Sequence, residues 1–230
     1  MSVTIALVTP GDCKSRGEVF SLLPEAELLP RGRARLHVVS ASLNALDIAG
    51  LVHGPSARAA ETARILAYVH DGLEPTELAT LADINTGEWA GLTLEALRAK
   101  PEWSAWQAEP DTFQFPGGEN LAKAGERAVA SLFAQAEAGG LLVAVLDPGL
   151  IRAVIAIVTG IPFAAATRFD LPPATLTLIH GEAIGQLRIG GIGLRGGYGL
   201  MEPTDRGRWP DRDAVGEQWA SGGYSRLFRI

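Results

Sequence analysis

Three short apolar runs, each ended by a proline- and glycine-bearing turn and followed by a helix-forming stretch, do most to limit what this chain can fold into. Residues 3–8 (VTIALV) run into Thr9-Pro10-Gly11, residues 48–53 (IAGLVH) stop at Gly54-Pro55, and residues 141–146 (LLVAVL) break at Asp147-Pro148-Gly149. Runs of this length without polar alternation predict strands covered on both faces. Leu36, Val39, Leu43 and Leu46 recur at three- and four-residue spacing, which predicts a helix over 33–46. Ser56 is a helix N-cap ahead of residues 57–69, and residues 120–136 carry Leu121, Ala128, Leu132 and Ala136 on one face. Strands alternating with helices predict an α/β fold, a three-layer α/β/α sandwich around a mainly parallel central sheet. Residues 77–84 read as a further strand. The stretch from Pro101 to Gly118 reads as a loop holding Trp103, Trp106 and Phe113. Residues 176–179 and 184–189 read as an antiparallel hairpin turning at His180-Gly181-Glu182. The expected organisation is one domain over 1–190. An extension over 191–230, rich in Gly and Arg and bearing Trp209 and Trp219, is expected to pack on that domain or at an interface.

Composition narrows the function classes. A chain of 230 residues buries enough surface to fold without disulfides or metal. A net charge of −6 disfavours nucleic acid as a partner. Cys13 is the only cysteine, which excludes an intramolecular disulfide and suits a cytoplasmic protein. The opening MSVTIALVTPGD lacks the basic region of a secretory signal. Asp147, Pro148 and Arg152 interrupt the most apolar stretch, residues 139–166, so no membrane span is expected there. No cofactor is expected. A small anionic metabolite and a second copy of the chain are the candidate partners.

The turns that end these strands carry an ordered series of motifs. After ALV comes Thr9-Pro10-Gly11-Asp12, and after the second strand comes Gly54-Pro55-Ser56-Ala57-Arg58-Ala59-Ala60-Glu61-Thr62-Ala63. Then follow Leu81-Ala82-Asp83-Ile84-Asn85-Thr86-Gly87-Glu88-Trp89-Ala90-Gly91 and Pro116-Gly117-Gly118-Glu119-Asn120. The last is Val145-Leu146-Asp147-Pro148-Gly149-Leu150-Ile151-Arg152-Ala153. In this order, over residues 3–182, they resemble the histidine phosphatase, or phosphoglycerate mutase-like, superfamily. The resemblance implies a nucleophilic histidine at position 10, an arginine at 9, a second histidine at 147, a phosphate-binding arginine at 58 and an acidic proton donor at 83. Here those slots hold Pro10, Thr9, Asp147, Arg58 and Asp83. Pro10 has no nucleophilic atom, and Asp147 is an anion where that family has a donor. The resemblance therefore implies a degenerate, catalytically impaired member that binds a small anionic ligand or a protein partner through the ancestral cleft. The alternative is repurposed acid/base chemistry in which Arg58 works with Asp83 or Asp147.

The candidate ligand-binding set is Thr9, Pro10, Gly11, His53, Arg58, Asp83 and Asp147, with Asp83 and Asp147 as the only catalytic candidates. Arg58 either grips a ligand anion or pairs with Asp147 or Asp83, and Asp83 is either an acid or a solvated loop residue. A Cys13–His53 nucleophile is the sharper reading of those two residues, and an inert thiol beside an incidental histidine is the preferred one. Asp12, Asp83, Glu119 and Asp147 follow no metal-binding spacing, so no metal is expected. His37 and His70 are expected at the surface, His180 in the hairpin turn, and Trp89 and Trp103 in the core.

Overall fold

The computed structural model describes residues 2–44, 46–70, 72–136 and 140–196. Its elements in chain order are β1 (Val3–Val8), α1 (Pro30–Leu43), β2 (Ile48–His53), α2 (Ala57–Ala67) and β3 (Thr76–Glu77). They continue with α3 (Leu94–Arg98), α4 (Trp103–Ala108), α5 (Leu121–Gln135), β4 (Leu141–Val145), α6 (Pro148–Thr159), α7 (Phe163–Ala166), β5 (Thr175–Gly181) and β6 (Arg188–Arg195). The first and second strands keep their expected bounds, and the helices around residues 57, 121 and 148 begin where their caps place them. Ser56 Oγ accepts from the Ala59 amide at 3.3 Å, and Asn120 Oδ1 accepts from the Ala122 amide at 2.8 Å.

The strands form a single mixed sheet in the order β3-β2-β4-β1-β5-β6. Parallel pairing joins β3 to β2, β2 to β4 and β4 to β1, and antiparallel pairing joins β1 to β5 and β5 to β6. The α/β sandwich is as expected, with an antiparallel edge on its parallel half. Pleating sends alternate side chains to opposite faces. Ile5 and Leu7 of β1 and Leu142 and Ala144 of β4 join one apolar cluster with Ala124, Ala128 and Leu132 of α5 and Val154 and Ile155 of α6. Their alternates Ala6, Val8, Val143 and Val145 are equally buried and cover the other face with Leu36, Val39, Ala63 and Leu66 of α1 and α2. Helices α5 and α6 approach closely because Gly125 has no side chain. A Cβ there would meet Ile157 Cγ1 at 2.7 Å and the Ala153 carbonyl oxygen at 2.9 Å.

Four local expectations need correction. The first helix spans Pro30–Leu43 rather than 33–46, since Pro30 fits the first turn, where no amide partner is required. The strand expected over 77–84 is a two-residue β3 followed by a 3₁₀ turn at Ala79–Leu81. The expected aromatic loop contains α4, whose tryptophans pack inward. The hairpin exists, but His180 lies within β5, and residues 184–186 form a 3₁₀ turn ahead of β6. Strand β6 also runs through Gly190 to Arg195, so the sheet crosses the boundary expected at 190. Register shifts beside Gly191 explain the misreading, because glycines inside a strand commonly mark a bulge. Residues 197–230, with Trp209 and Trp219, lie outside the described residues. No helix among the described residues is long and apolar enough to cross a membrane.

Candidate functional site

The parallel strands β1, β2 and β4 end at the same edge of the sheet, where open α/β folds collect ligands. The Leu146 amide bonds the Val8 carbonyl at 3.1 Å, and the Gly54 amide bonds the Val145 carbonyl at 3.3 Å, so the three exits are tied side by side. Asp147 leaves β4 as the N-cap of α6, and its side chain makes no bond to that helix's own amides. Its Oδ1 instead takes a 2.6 Å hydrogen bond from Arg58 Nε, and its Oδ2 takes one of 3.4 Å from Ser56 Oγ. Arg58 projects from the first turn of α2 and is 1% exposed. Its Nη1 donates to the Leu23 carbonyl at 2.7 Å, and its Nη2 lies 3.6 Å from Asp83 Oδ2. All three guanidinium nitrogens are therefore engaged within the protein.

Asp83 sits opposite the start of α6, its Oδ1 accepting from the Ile84 amide at 2.8 Å. Arg127 of α5 holds the loop that carries it, donating to the carbonyls of Thr80 (2.7 Å) and Asp83 (3.2 Å). Glu119 takes both a 2.7 Å and a 3.1 Å bond from Arg127 and accepts from the Asn85 amide at 2.8 Å. The next turn interlocks with residues 115–118. Gly87 has φ +52°, and a Cβ there would stand 2.1 Å from the Pro116 carbonyl oxygen.

One cation faces two carboxylates, so the buried triad carries a net negative charge when all three ionise. Burial and then the Asp147 charge push the Asp83 pKa up to about 7, against the opposing pull of Arg58 and the Ile84 amide. Its side chain remains 24% exposed, which limits how far desolvation alone can act. Burial alone would lower the Arg58 pKa, but Asp147, by charge and hydrogen bond, and then Asp83 outweigh it and hold it above the ordinary value. The raised Asp83 pKa has a definite thermodynamic sign. Between its ordinary 3.8 and about 7 the native state keeps a proton that the unfolded chain has lost, so stability falls as pH rises through that window. Asp83→Asn should flatten this dependence, measured as the urea midpoint at pH 4.5, 6 and 8. A slope unchanged in the variant would assign the titration elsewhere.

The remaining candidates occupy separate places. Thr9 Oγ1 donates to the Pro172 carbonyl at 2.6 Å and accepts from the Thr175 amide at 3.0 Å, so its hydroxyl serves the β5 entry rather than Arg58. The Pro10 carbonyl accepts from the Ala174 amide at 3.1 Å, and the Gly11 amide bonds Thr62 Oγ1 at 3.3 Å. His53 is buried with Nδ1 2.8 Å from the Gly54 carbonyl. His180 pairs with Thr4, five residues up β1 from Thr9, or roughly 16 Å away. Burial raises the Cys13 pKa in spite of Arg58 and Arg16, so the thiol stays protonated, and it makes no bond to His53. Asp12 pairs with Arg31 at 2.5 Å and Glu119 with Arg127, which separates them from Asp83 and Asp147. Among the described residues no cluster of acidic, histidine or cysteine side chains could hold a metal ion. His37 is exposed as expected, while His70 is half-buried at the end of α2. An apolar hollow of about 230 Å³ between α5, α6 and α7 contains none of these residues. The sequence reading missed Ser56 as a donor to Asp147, the Leu23 carbonyl and the Arg127–Glu119 bracket. Ser56 and Glu119 stood inside motifs, Ser56 there as a cap, whereas Leu23 and Arg127 stood in none.

Solved structures share this arrangement of elements. A protein described as mycobacterial hydrolase 1 superposes with a TM-score of 0.72 at 23% identity, covering 85% of this chain and 100% of that one. The mycobacterial glucosyl-3-phosphoglycerate phosphatase gives 0.72 at 22%, covering 84% and 100%. The alpha-ribazole phosphatase from Shigella flexneri gives 0.70 at 18%, covering 84% and 97%. No curated protein sequence matches the chain. Residues 13–187 match the family described as histidine phosphatase superfamily (branch 1), a span that takes in Arg58, Asp83 and Asp147 and begins just past Pro10. With that match extending over most of its length, the chain belongs to the histidine phosphatase superfamily.

Proposed function

We propose that this chain does not transfer phosphoryl groups through a phosphohistidine and instead binds a small anionic ligand at the cleft formed by the strand exits. The observation that carries the reading is that Arg58 already bonds Asp147 and the Leu23 carbonyl and forms an ion pair with Asp83. A phosphoryl group in the ancestral pose would have to displace a 2.6 Å charge-assisted bond and sit beside Asp147. One carboxylate about 4 Å from one phosphate charge costs roughly 4 kcal/mol at an effective dielectric near 20. Pro10 offers no atom to attack phosphorus. The phosphatases among the structural neighbours suggest the ligand class, a small phosphorylated or otherwise anionic metabolite.

The test is turnover of p-nitrophenyl phosphate and a panel of phosphate monoesters, alongside Asp147→Asn and Arg58→Ala. The expected result is a rate at the no-protein background in all three proteins. Turnover in the wild type that Asp147→Asn abolishes would overthrow the non-catalytic reading. A second reading is acid/base catalysis by Asp83, favoured by its pKa near 7, which suits proton transfer at neutral pH. It would appear as hydrolysis with a pH inflection near 7 that Asp83→Asn removes.

A further inference from the structure

We propose a distinct anion site at the mouth of the cleft, built by Arg16 and Arg152, that takes a compact tetrahedral oxyanion such as the phosphate of a monoester. The proposal deepens the reading above and rests on its claim that the ancestral pose is closed to anions. Arg16 Nη2 donates to the Leu171 carbonyl at 3.1 Å, and Arg152 Nη2 donates to the Phe169 carbonyl at 3.2 Å. Those carbonyls belong to the segment entering β5, which also receives Thr9 Oγ1 at Pro172 and bonds the Pro10 carbonyl through Ala174. Both guanidinium groups are therefore anchored against the exit of β1, one on the loop after that strand and one a turn into α6.

Neither arginine forms an ion pair with a carboxylate among the described residues. The Arg152 Nε is buried there with no hydrogen-bond partner. The two cations also feel one another. Burial and then the Arg16 charge lower the Arg152 pKa, and only Asp170 opposes them. In a chain with 26 acidic against 20 basic residues, two neighbouring arginines with no ion pair among the described residues are a departure that a merely structural role does not require. Each spends one hydrogen bond on its anchor and keeps the rest of a planar fork, the geometry that matches phosphate oxygens. Arg16 sits in a turn fixed by Ser15 (φ +62°) and Gly17 (φ +82°), with the Glu18 amide bonded to the Ser15 carbonyl at 3.1 Å.

The experiment is thermal melting of the full chain titrated with inorganic phosphate, and separately with glycerol phosphate, at constant ionic strength. At a phosphate concentration about ten times Kd the midpoint should rise by roughly 3–5 °C. Arg16→Gln and Arg152→Gln should each weaken the apparent affinity by about tenfold or more, as expected for a lost charge-assisted bond. Arg64→Gln, an equal charge change on the exposed face of α2, should leave it unchanged. Arg16 lies in a surface turn, so its variant remains informative where Arg152→Gln lowers the starting midpoint. No phosphate-dependent rise in the wild type, or a rise that survives both variants, overturns this site alone. Binding that ignores Arg16 and strengthens in Asp147→Asn would put the anion on Arg58 and overturn the closed-pocket reading as well.

Discussion

Arg58→Met should destabilise the fold by about 3–5 kcal/mol at pH 8, the range for stripping one partner from a buried ion pair, and by far less at pH 5. The arginine is 1% exposed and, among the described residues, is the only cation bonded to Asp147, which is 5% exposed. Removing it leaves two carboxylates, Asp147 and Asp83, facing each other without the cation between them. Asp83, already raised by burial and by the Asp147 charge, loses the opposing pull of Arg58, so its native pKa rises further above that of the unfolded chain. The cost is consequently full above that native pKa and disappears as pH falls towards the unfolded one. Asp147→Asn has a different outcome, because it leaves Arg58 balanced by Asp83 and removes the repulsion that adds to burial in raising Asp83. That variant should cost about 1–3 kcal/mol, the penalty for a weakened hydrogen bond to a charged group, with a weaker pH dependence. Urea unfolding at the two pH values separates the cases. Equal losses for the two variants would mean that Arg58 does not act as the common counter-ion.

Trp89→Ala should cost about 3–5 kcal/mol, the usual penalty for emptying a large aromatic site in a core. Trp89 has no exposed surface and stands at the centre of a ring cluster. Its centroid lies 5.3 Å from Phe113, 5.4 Å from Phe115, 5.7 Å from Phe20 and 5.9 Å from Trp103. Edge-to-face pairs such as the one with Phe20, at 76°, add to the burial energy. Trp89→Phe should cost less than half as much, partly because the indole Nε1 is buried with no hydrogen-bond partner among the described residues. Phe20 joins the cluster from the long segment between β1 and α1, which also bonds across to Leu92 and Gly91. The alanine variant should therefore expose that segment to limited proteolysis before the sheet unfolds. Simultaneous loss of both would argue that the segment is held by the sheet instead.

Much of the architecture was legible because burial leaves a periodic trace. The β1 and β2 runs, the Ser56 cap and the turn at Asp147-Pro148-Gly149 each have a local physical cause, and each lies where that cause puts it. The α4 helix was hidden because its six residues are too few to show a period and prolines stand near both ends. Glycines disguised β6. For the site, the chemical character of positions 9, 10 and 147 could be read from the motifs, whereas the choice made by Arg58 could not. Whether that arginine holds a ligand or its own neighbours depends on distances set by three strand exits, and no spacing along the chain encodes them. Arg16 shows the same limit, since its nearness to Arg152 arises only when the segment entering β5 folds between them.

The Arg127–Glu119 bracket fixes the backbone from Thr80 to Asn85 by bonds to two carbonyls and one amide. The entropy of ordering that stretch is lost when the chain folds, not when a guest arrives. For the anionic ligand proposed above, that wall is ordered before association, which lowers the ordering cost on that side. Selection among guests there follows from fit to a preorganised surface, and a poorly shaped guest finds no adaptable loop to mould around it.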